Sequence, residues 1–195
     1  MVPQAIELTD EQIAKKVQEG DLESYGELIK RYEPKMLRYA RKFLFTNTAE
    51  DMVQEVFLKA YQNIQSFKTE LRFSPWLYRI AHNEFINQIK KRGRENLSFF
   101  DPDTLFPHPI AADNPAEELN TEQTRKMLDS YLDGLDTKYR EVLVLYFLEE
   151  LSYREISDVL KVPIATVGVR IKRAKEALKN SYEKNLLKGN YERII

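Results

Sequence analysis

The chain has 195 residues, 43% of them hydrophobic and 31% charged, with a formal net charge of −1, which is the balance of a water-soluble protein with room for one ordinary domain or two small ones. It has no cysteine and two histidines, His82 and His108, far apart in the sequence; this excludes disulfides, thiol catalysis and zinc-finger sites and makes a poor metal site. No apolar run is long enough to span a bilayer and the start lacks a basic-then-apolar signal sequence, so a cytoplasmic protein without membrane insertion is expected.

In chain order, Thr9 followed by Gln12 makes a capping box and opens a helix to about Glu19, which Gly20 ends. Asp21 can cap the next helix, which runs towards Tyr32. Residues 49–64 form the most regular segment: Val53, Val56, Phe57, Ala60 and Ile64 recur on one helical face, whereas Asp51, Gln54, Glu55 and Leu58 lie on the other. Acids early in a helix suit its macrodipole and mean little alone. A leucine amid polar groups is the pattern of a docking surface.

Ser74 and Pro75 stand at a natural helix start, and Trp76, Leu77, Ile80, Ala81 and Ile89 supply its core stripe before the basic end Lys90-Lys91-Arg92. Aromatic and basic residues alternate across Phe67, Lys68, Arg72, Phe73, Trp76, Tyr78 and Arg79. Single-stranded nucleic acid is held by such surfaces, where rings stack on unpaired bases and cations follow the phosphates. The exposed candidates are Lys68, Arg72, Arg79, Asn83, Lys90, Lys91 and Arg92; Phe73 and Trp76 are expected in the core.

Charge is uneven along the chain. Residues 1–94 and 125–195 are each net +3, while residues 95–124 carry seven acids, no Lys or Arg, and net −7. Pro102, Pro107, Pro109 and Pro115 fall in that acidic stretch. Proline removes donors and like charges repel, so residues 96–119 read as an extended linker between a domain at 1–95 and another at 120–195. The expected fold is all-α, two small helical domains joined by this acidic linker.

Residues 151–174 have the layout of a DNA-reading helix-turn-helix. Ser152 and Glu155 make a second capping box, Ile156, Val159 and Leu160 give the first helix its stripe, and Pro163 forces a turn near Val162. In the helix that follows, Val167, Ile171, Ala174 and Leu178 share one face. Ala165, Gly168, Val169, Lys172, Arg173 and Glu176 are expected on the opposite face, with Arg170 adding charge, and so free to enter a major groove.

Three segments together resemble a bacterial RNA polymerase sigma factor of the sigma-70 family, extracytoplasmic-function (ECF) class. Residues 49–61, AEDMVQEVFLKAY, are similar to the family's core-polymerase-binding helix; residues 73–83, FSPWLYRIAHN, to the start of its promoter-melting helix; and residues 135–178, with Tyr139-Arg-Glu-Val-Leu-Val-Leu145 and the helix-turn-helix, to its second promoter-reading domain. The resemblance implies a region-2-like domain at 1–95, a region-4-like domain at 120–195, and no catalysis by this chain. It implies that Asp51, Gln54, Glu55 and Leu58 dock on the clamp helices of the polymerase largest subunit. The loop at 66–73, with Lys68, Arg72, Arg79, Asn83, Lys90, Lys91 and Arg92, would capture and hold the opened minus-ten strand. Ala165, Gly168, Val169, Arg170, Lys172 and Arg173 would read the minus-thirty-five element, while apolar surface at Val142, Leu145 and Tyr146 meets the flap of the other large subunit. Implied partners are core RNA polymerase, promoter DNA and an anti-sigma factor, with the free chain a monomer and no cofactor or metal.

The chain departs from the family pattern at Asn87, where Asp is usual, at Asp136, where Pro is usual, and at Gly168 and Val169, where a basic residue and Ser are usual. A helix-turn-helix regulator that forms no holoenzyme is the alternative, although no alternating strand–helix pattern of a receiver domain accompanies the motif. A nuclease or recombinase would need clustered carboxylates or a nucleophile, and the acids are scattered over helix faces.

Overall fold

Thr9 caps the first helix as its spacing predicts: its Oγ1 accepts the Gln12 N–H, and the Gln12 side chain accepts the Thr9 N–H at 2.9 Å. The computed structural model describes residues 8–44, 48–91, 132 and 134–191. Helices α1 (Asp10–Gln18), α2 (Leu22–Leu44), α3 (Ala49–Asn63) and α4 (Phe73–Lys91), with a 3₁₀ turn at Ile64–Ser66, make up the first unit. The second holds α5 (Thr137–Leu143), a π-helical continuation at Val144–Leu148, α6 (Tyr153–Leu160) and α7 (Ile164–Tyr191). Among the described residues there is no strand, and the chain divides between Asn96 and Leu97 into the two units. The acidic segment 96–119, Arg92 and His108 lie outside the described residues.

Helix α2 runs well past Tyr32, through Pro34 to Leu44. Proline cannot donate to the Lys30 carbonyl one turn back, but both residues are exposed, so solvent can take that acceptor. The continuation matters because it carries Met36, Tyr39, Ala40 and Phe43 into the core. Tyr39 packs at 5.3 Å between ring centres on both Tyr78 and Phe85 of α4, the offset and edge-on geometry aromatic quadrupoles favour. Tyr25 crosses to α3, where its buried hydroxyl donates to the Phe57 carbonyl at 2.5 Å; burial pushes that phenol well above its ordinary range.

In the second unit, Arg140 is buried, and its guanidinium donates to the carbonyls of Leu132 (2.8 Å) and Leu135 (2.5 Å). These bonds satisfy the charge where α5 begins, as burial of a cation demands. Asp136 sits at φ −53°, a backbone setting that proline also adopts. After Leu143 the helix widens, the Glu149 N–H donating to the Val144 carbonyl five residues back at 3.1 Å. Val142 and Leu145 are fully buried here, so the expectation that they form an apolar contact surface is corrected: they are core, and the partly exposed apolar residues beside them are Tyr146, Phe147 and Leu148.

Candidate functional site

Helix α3 separates its two faces as its sequence spacing requires. Val53, Val56, Phe57, Ala60 and Ile64 are buried, while Asp51, Gln54, Glu55 and Leu58 face solvent. Leu58 is 51% exposed and Tyr61, one turn on, 39%. Helical spacing puts these two rows together as an apolar strip beside acids. Lys59 borders it, its ammonium held by Glu84 and lying 3.7 Å from Glu55; the Glu84 bond, with Glu55 contributing, raises its pKa. Sequence reasoning did not single out Tyr61, whose ring rests on Tyr25 at 5.2 Å.

The 64–73 loop has a buried base and an exposed tip. Phe67 and Phe73 are 4% and 1% exposed, and with half-buried Trp76 they form a ring cluster whose centres lie 5.2–5.5 Å apart. Phe73 is buried as expected and Trp76 only partly so, and Phe67 is buried with them; the three rings anchor the loop and leave no open face for an unpaired base. Its tip presents Lys68, Glu70, Leu71 and Arg72, closed by a bond from the Leu71 N–H to the Lys68 carbonyl at 2.9 Å. Leu71, 61% exposed, is an apolar contact the charge pattern hid. On α4, Asn83, Asn87, Lys90 and Lys91 are exposed and Arg79 is half-buried.

The helix-turn-helix is built as its two signals predict. Ser152 and Glu155 bond reciprocally at the start of α6, the Ser152 N–H donating to Glu155 at 2.7 Å. Lys161 then adopts the left-handed conformation at φ 57°, Ser157 Oγ donates to the Val162 carbonyl at 2.7 Å, and Pro163 leads into α7. The outward face of α7 lies rotated from the expected one. Ile164, Lys172, Glu176 and Lys179 are exposed, and Ala165, Gly168 and Lys175 partly so. Val169 is only 7% exposed, which corrects its assignment as a groove-facing residue; Arg170 and Arg173 are half-buried at the edges. The cause is packing on two sides, because α7 lies against both α5 and α6. A single apolar stripe cannot serve two neighbours, so Thr166 and Val169 also turn inward. Ile164, 47% exposed at the start of α7, takes the apolar outward position.

Residues 28–95 match the family described as Sigma-70 region 2, and residues 125–178 match Sigma-70, region 4. The chain is 32% identical to the ECF RNA polymerase sigma-E factor of Haemophilus influenzae, covering 92% of this chain and 98% of that one. It is 34% identical to the ECF RNA polymerase sigma factor SigW of Bacillus subtilis, covering 85% and 92%. Among solved structures, the sigma factor RpoE in complex with the anti-sigma factor NepR, from Bartonella quintana, is similar at a TM-score of 0.62 and 26% identity, covering 83% of this chain and 98% of that one. CnrH in complex with the cytosolic domain of CnrY shares the fold, at a TM-score of 0.64 and 24% identity over 90% and 97% of the two chains.

Proposed function

The chain belongs to the ECF class of the sigma-70 family of RNA polymerase sigma factors, and from that premise we propose how its surfaces divide the work of starting transcription. The family is one of transcription initiation factors: the chain binds core RNA polymerase and directs it to promoters, and the polymerase supplies the chemistry. The observation that carries this reading is sequence similarity extending across both units, with the region 2 and region 4 matches in order.

In the proposed assignment, Asp51, Gln54, Glu55 and Leu58 of α3 dock on core polymerase, with Tyr61 widening the contact. The acids give electrostatic selection and rate, whereas the apolar strip gives most of the affinity. The 68–72 tip takes an unstacked base of the minus-ten element, Leu71 against its face and Arg72 and Lys68 at its phosphates. Asn83, Lys90, Lys91 and Arg92 follow the opened strand, with Arg79 beside them. In the second unit, α7 enters the major groove of the minus-thirty-five element. Lys172, Lys175 and Lys179 reach phosphates, Gly168 lets the helix approach closely, and Ile164 offers methyl groups to a thymine near the helix start, where reading helices make base contacts. Ala165 lies in the same contact, and Arg170 and Arg173 flank it. An anti-sigma factor is a further partner, as NepR is for the Bartonella sigma factor. The free chain is a cytoplasmic monomer in this reading; among the described residues no helix is long and apolar enough to cross a membrane.

Mixing the chain with bacterial core polymerase and measuring complex formation tests this proposal. A one-to-one complex that Gln54→Ala with Glu55→Ala weakens supports it. A chain that binds duplex DNA alone and leaves core polymerase unbound is a stand-alone regulator, and the proposal fails.

A further inference from the structure

Helix α1 lies before the segment matched by region 2, residues 28–95, yet four hydrogen bonds tie it to both ends of the 64–73 loop. At the start of the loop, Gln18 Nε2 donates to the carbonyls of Ile64 (2.7 Å) and Phe67 (2.8 Å), and Gln65 Nε2 donates back to the Gln18 carbonyl at 3.0 Å. At its far end, Glu11 Oε1 accepts the Phe73 N–H at 3.0 Å. That N–H stands in the first turn of α4, where backbone donors have no partner within the helix.

The brace is itself fixed. Asp10 accepts from Arg31 Nη1 at 2.9 Å and from the Tyr32 hydroxyl at 2.6 Å, and Arg31 also donates to the Leu8 carbonyl. Ile13, Ala14 and Val17 are buried beneath it. The ring cluster of Phe67, Phe73 and Trp76 pins the loop ends that Gln18 and Glu11 bond, leaving the 68–72 tip outside.

We infer that α1 is a positioning element for promoter reading, in which Gln18 and Glu11 set the spacing and orientation of the loop ends and thereby which base the tip accepts. The inference rests on the proposed assignment of this loop to base capture. A flipped base is discriminated only by groups held in place before it arrives; a loop free to adjust accepts several bases. Gln18 and Glu11 reach the loop backbone and not its tip, so they act through the loop.

The test uses the full chain in holoenzyme with core polymerase and a pool of single-stranded oligonucleotides randomised across the minus-ten element. Sequencing the bound fraction gives the base preference at each position, and thermal midpoints of the same variants give stability. Gln18→Ala and Glu11→Ala should cut the preference at the captured position by roughly three- to tenfold, the worth of one or two hydrogen bonds, with a smaller loss of affinity for the whole pool. Glu11→Gln should keep the wild-type preference, because its amide oxygen still accepts the Phe73 N–H. Loss of affinity equal for all bases, in step with a lowered thermal midpoint, overturns the inference. So does an unchanged profile in Gln18→Ala and Glu11→Ala while Leu71→Ala and Arg72→Ala flatten it. If those two tip variants also leave every preference intact, the loop is not the reader, and the base-capture assignment falls together with the positioning role.

Discussion

Neighbouring residues of α3 provide the sharpest contrast between folding and docking. Phe57 is 7% exposed and Leu58 is 51% exposed, so the two truncations Phe57→Ala and Leu58→Ala should act on different equilibria. Removing the Phe57 ring empties a core site and costs about 3–5 kcal/mol of stability. In a unit of this size each kcal/mol lowers the thermal midpoint by roughly 4–8 °C, so that variant should melt more than ten degrees early. Leu58 has about half its surface still to bury. Full burial of a leucine is worth roughly 1.5–3 kcal/mol, so completing it against polymerase contributes about 1 kcal/mol, and Leu58→Ala should weaken core binding about fivefold with the midpoint nearly unmoved. Differential scanning calorimetry and a fluorescence titration of labelled chain into core polymerase measure the two quantities. If Leu58→Ala melts as early as Phe57→Ala and binds core normally, the docking face has been misassigned.

Other perturbations separate packing from contact elsewhere. Val169→Ala should cost about 1–3 kcal/mol of stability as a core truncation, whereas Lys172→Ala should cost less than about 0.5 kcal/mol and reduce the salt slope of promoter binding by about one; a stable Val169→Ala with altered base preference would return that residue to the groove. Lys161 holds a left-handed backbone that costs a side chain roughly 1–2 kcal/mol, so Lys161→Gly should raise stability by about 0.5 kcal/mol once the extra unfolded-state freedom of glycine is subtracted. A loss of stability there, seen by urea unfolding, would mean that the Lys161 side chain holds the turn. The guanidinium of Arg41 donates to Glu50 at 2.7 Å and lowers its pKa. What that pair adds is therefore present above the unfolded carboxyl's pKa and is lost as pH falls through the folded one. Arg41→Ala should move the Glu50 carboxyl titration, followed by NMR, up towards the ordinary range, the backbone N–H of Glu50 still holding part of the shift, and an unmoved titration would rule out the guanidinium as the main cause.

What the sequence disclosed depended on how many neighbours each helix has to satisfy. The faces of α3 were legible, Tyr61 apart, because one apolar stripe packs inward and one largely polar face, with Leu58 in it, points out. Both capping boxes, Thr9–Gln12 and Ser152–Glu155, were legible because they are local. The outward face of α7 was not, since packing on α5 and α6 together widens the buried arc to Thr166 and Val169. Interleaved aromatic and basic residues suggested a nucleic-acid surface with Phe73 and Trp76 in the core; Phe73 is buried as expected, and Phe67, which the pattern left open, is buried with it. The bonds of Gln18 and Glu11 to the loop join residues 46 to 62 positions apart. No periodicity or spacing rule encodes such a pair; only the folded chain brings it together.

Transcription by purified core polymerase, with and without the chain, on genomic fragments of the source bacterium gives the decisive comparison, with transcript 5′ ends mapped by sequencing. Promoter direction by the chain yields transcripts that require it and start downstream of a shared pair of sequence elements, one for each unit. Transcripts whose start sites and yields are the same with and without the chain would contradict it.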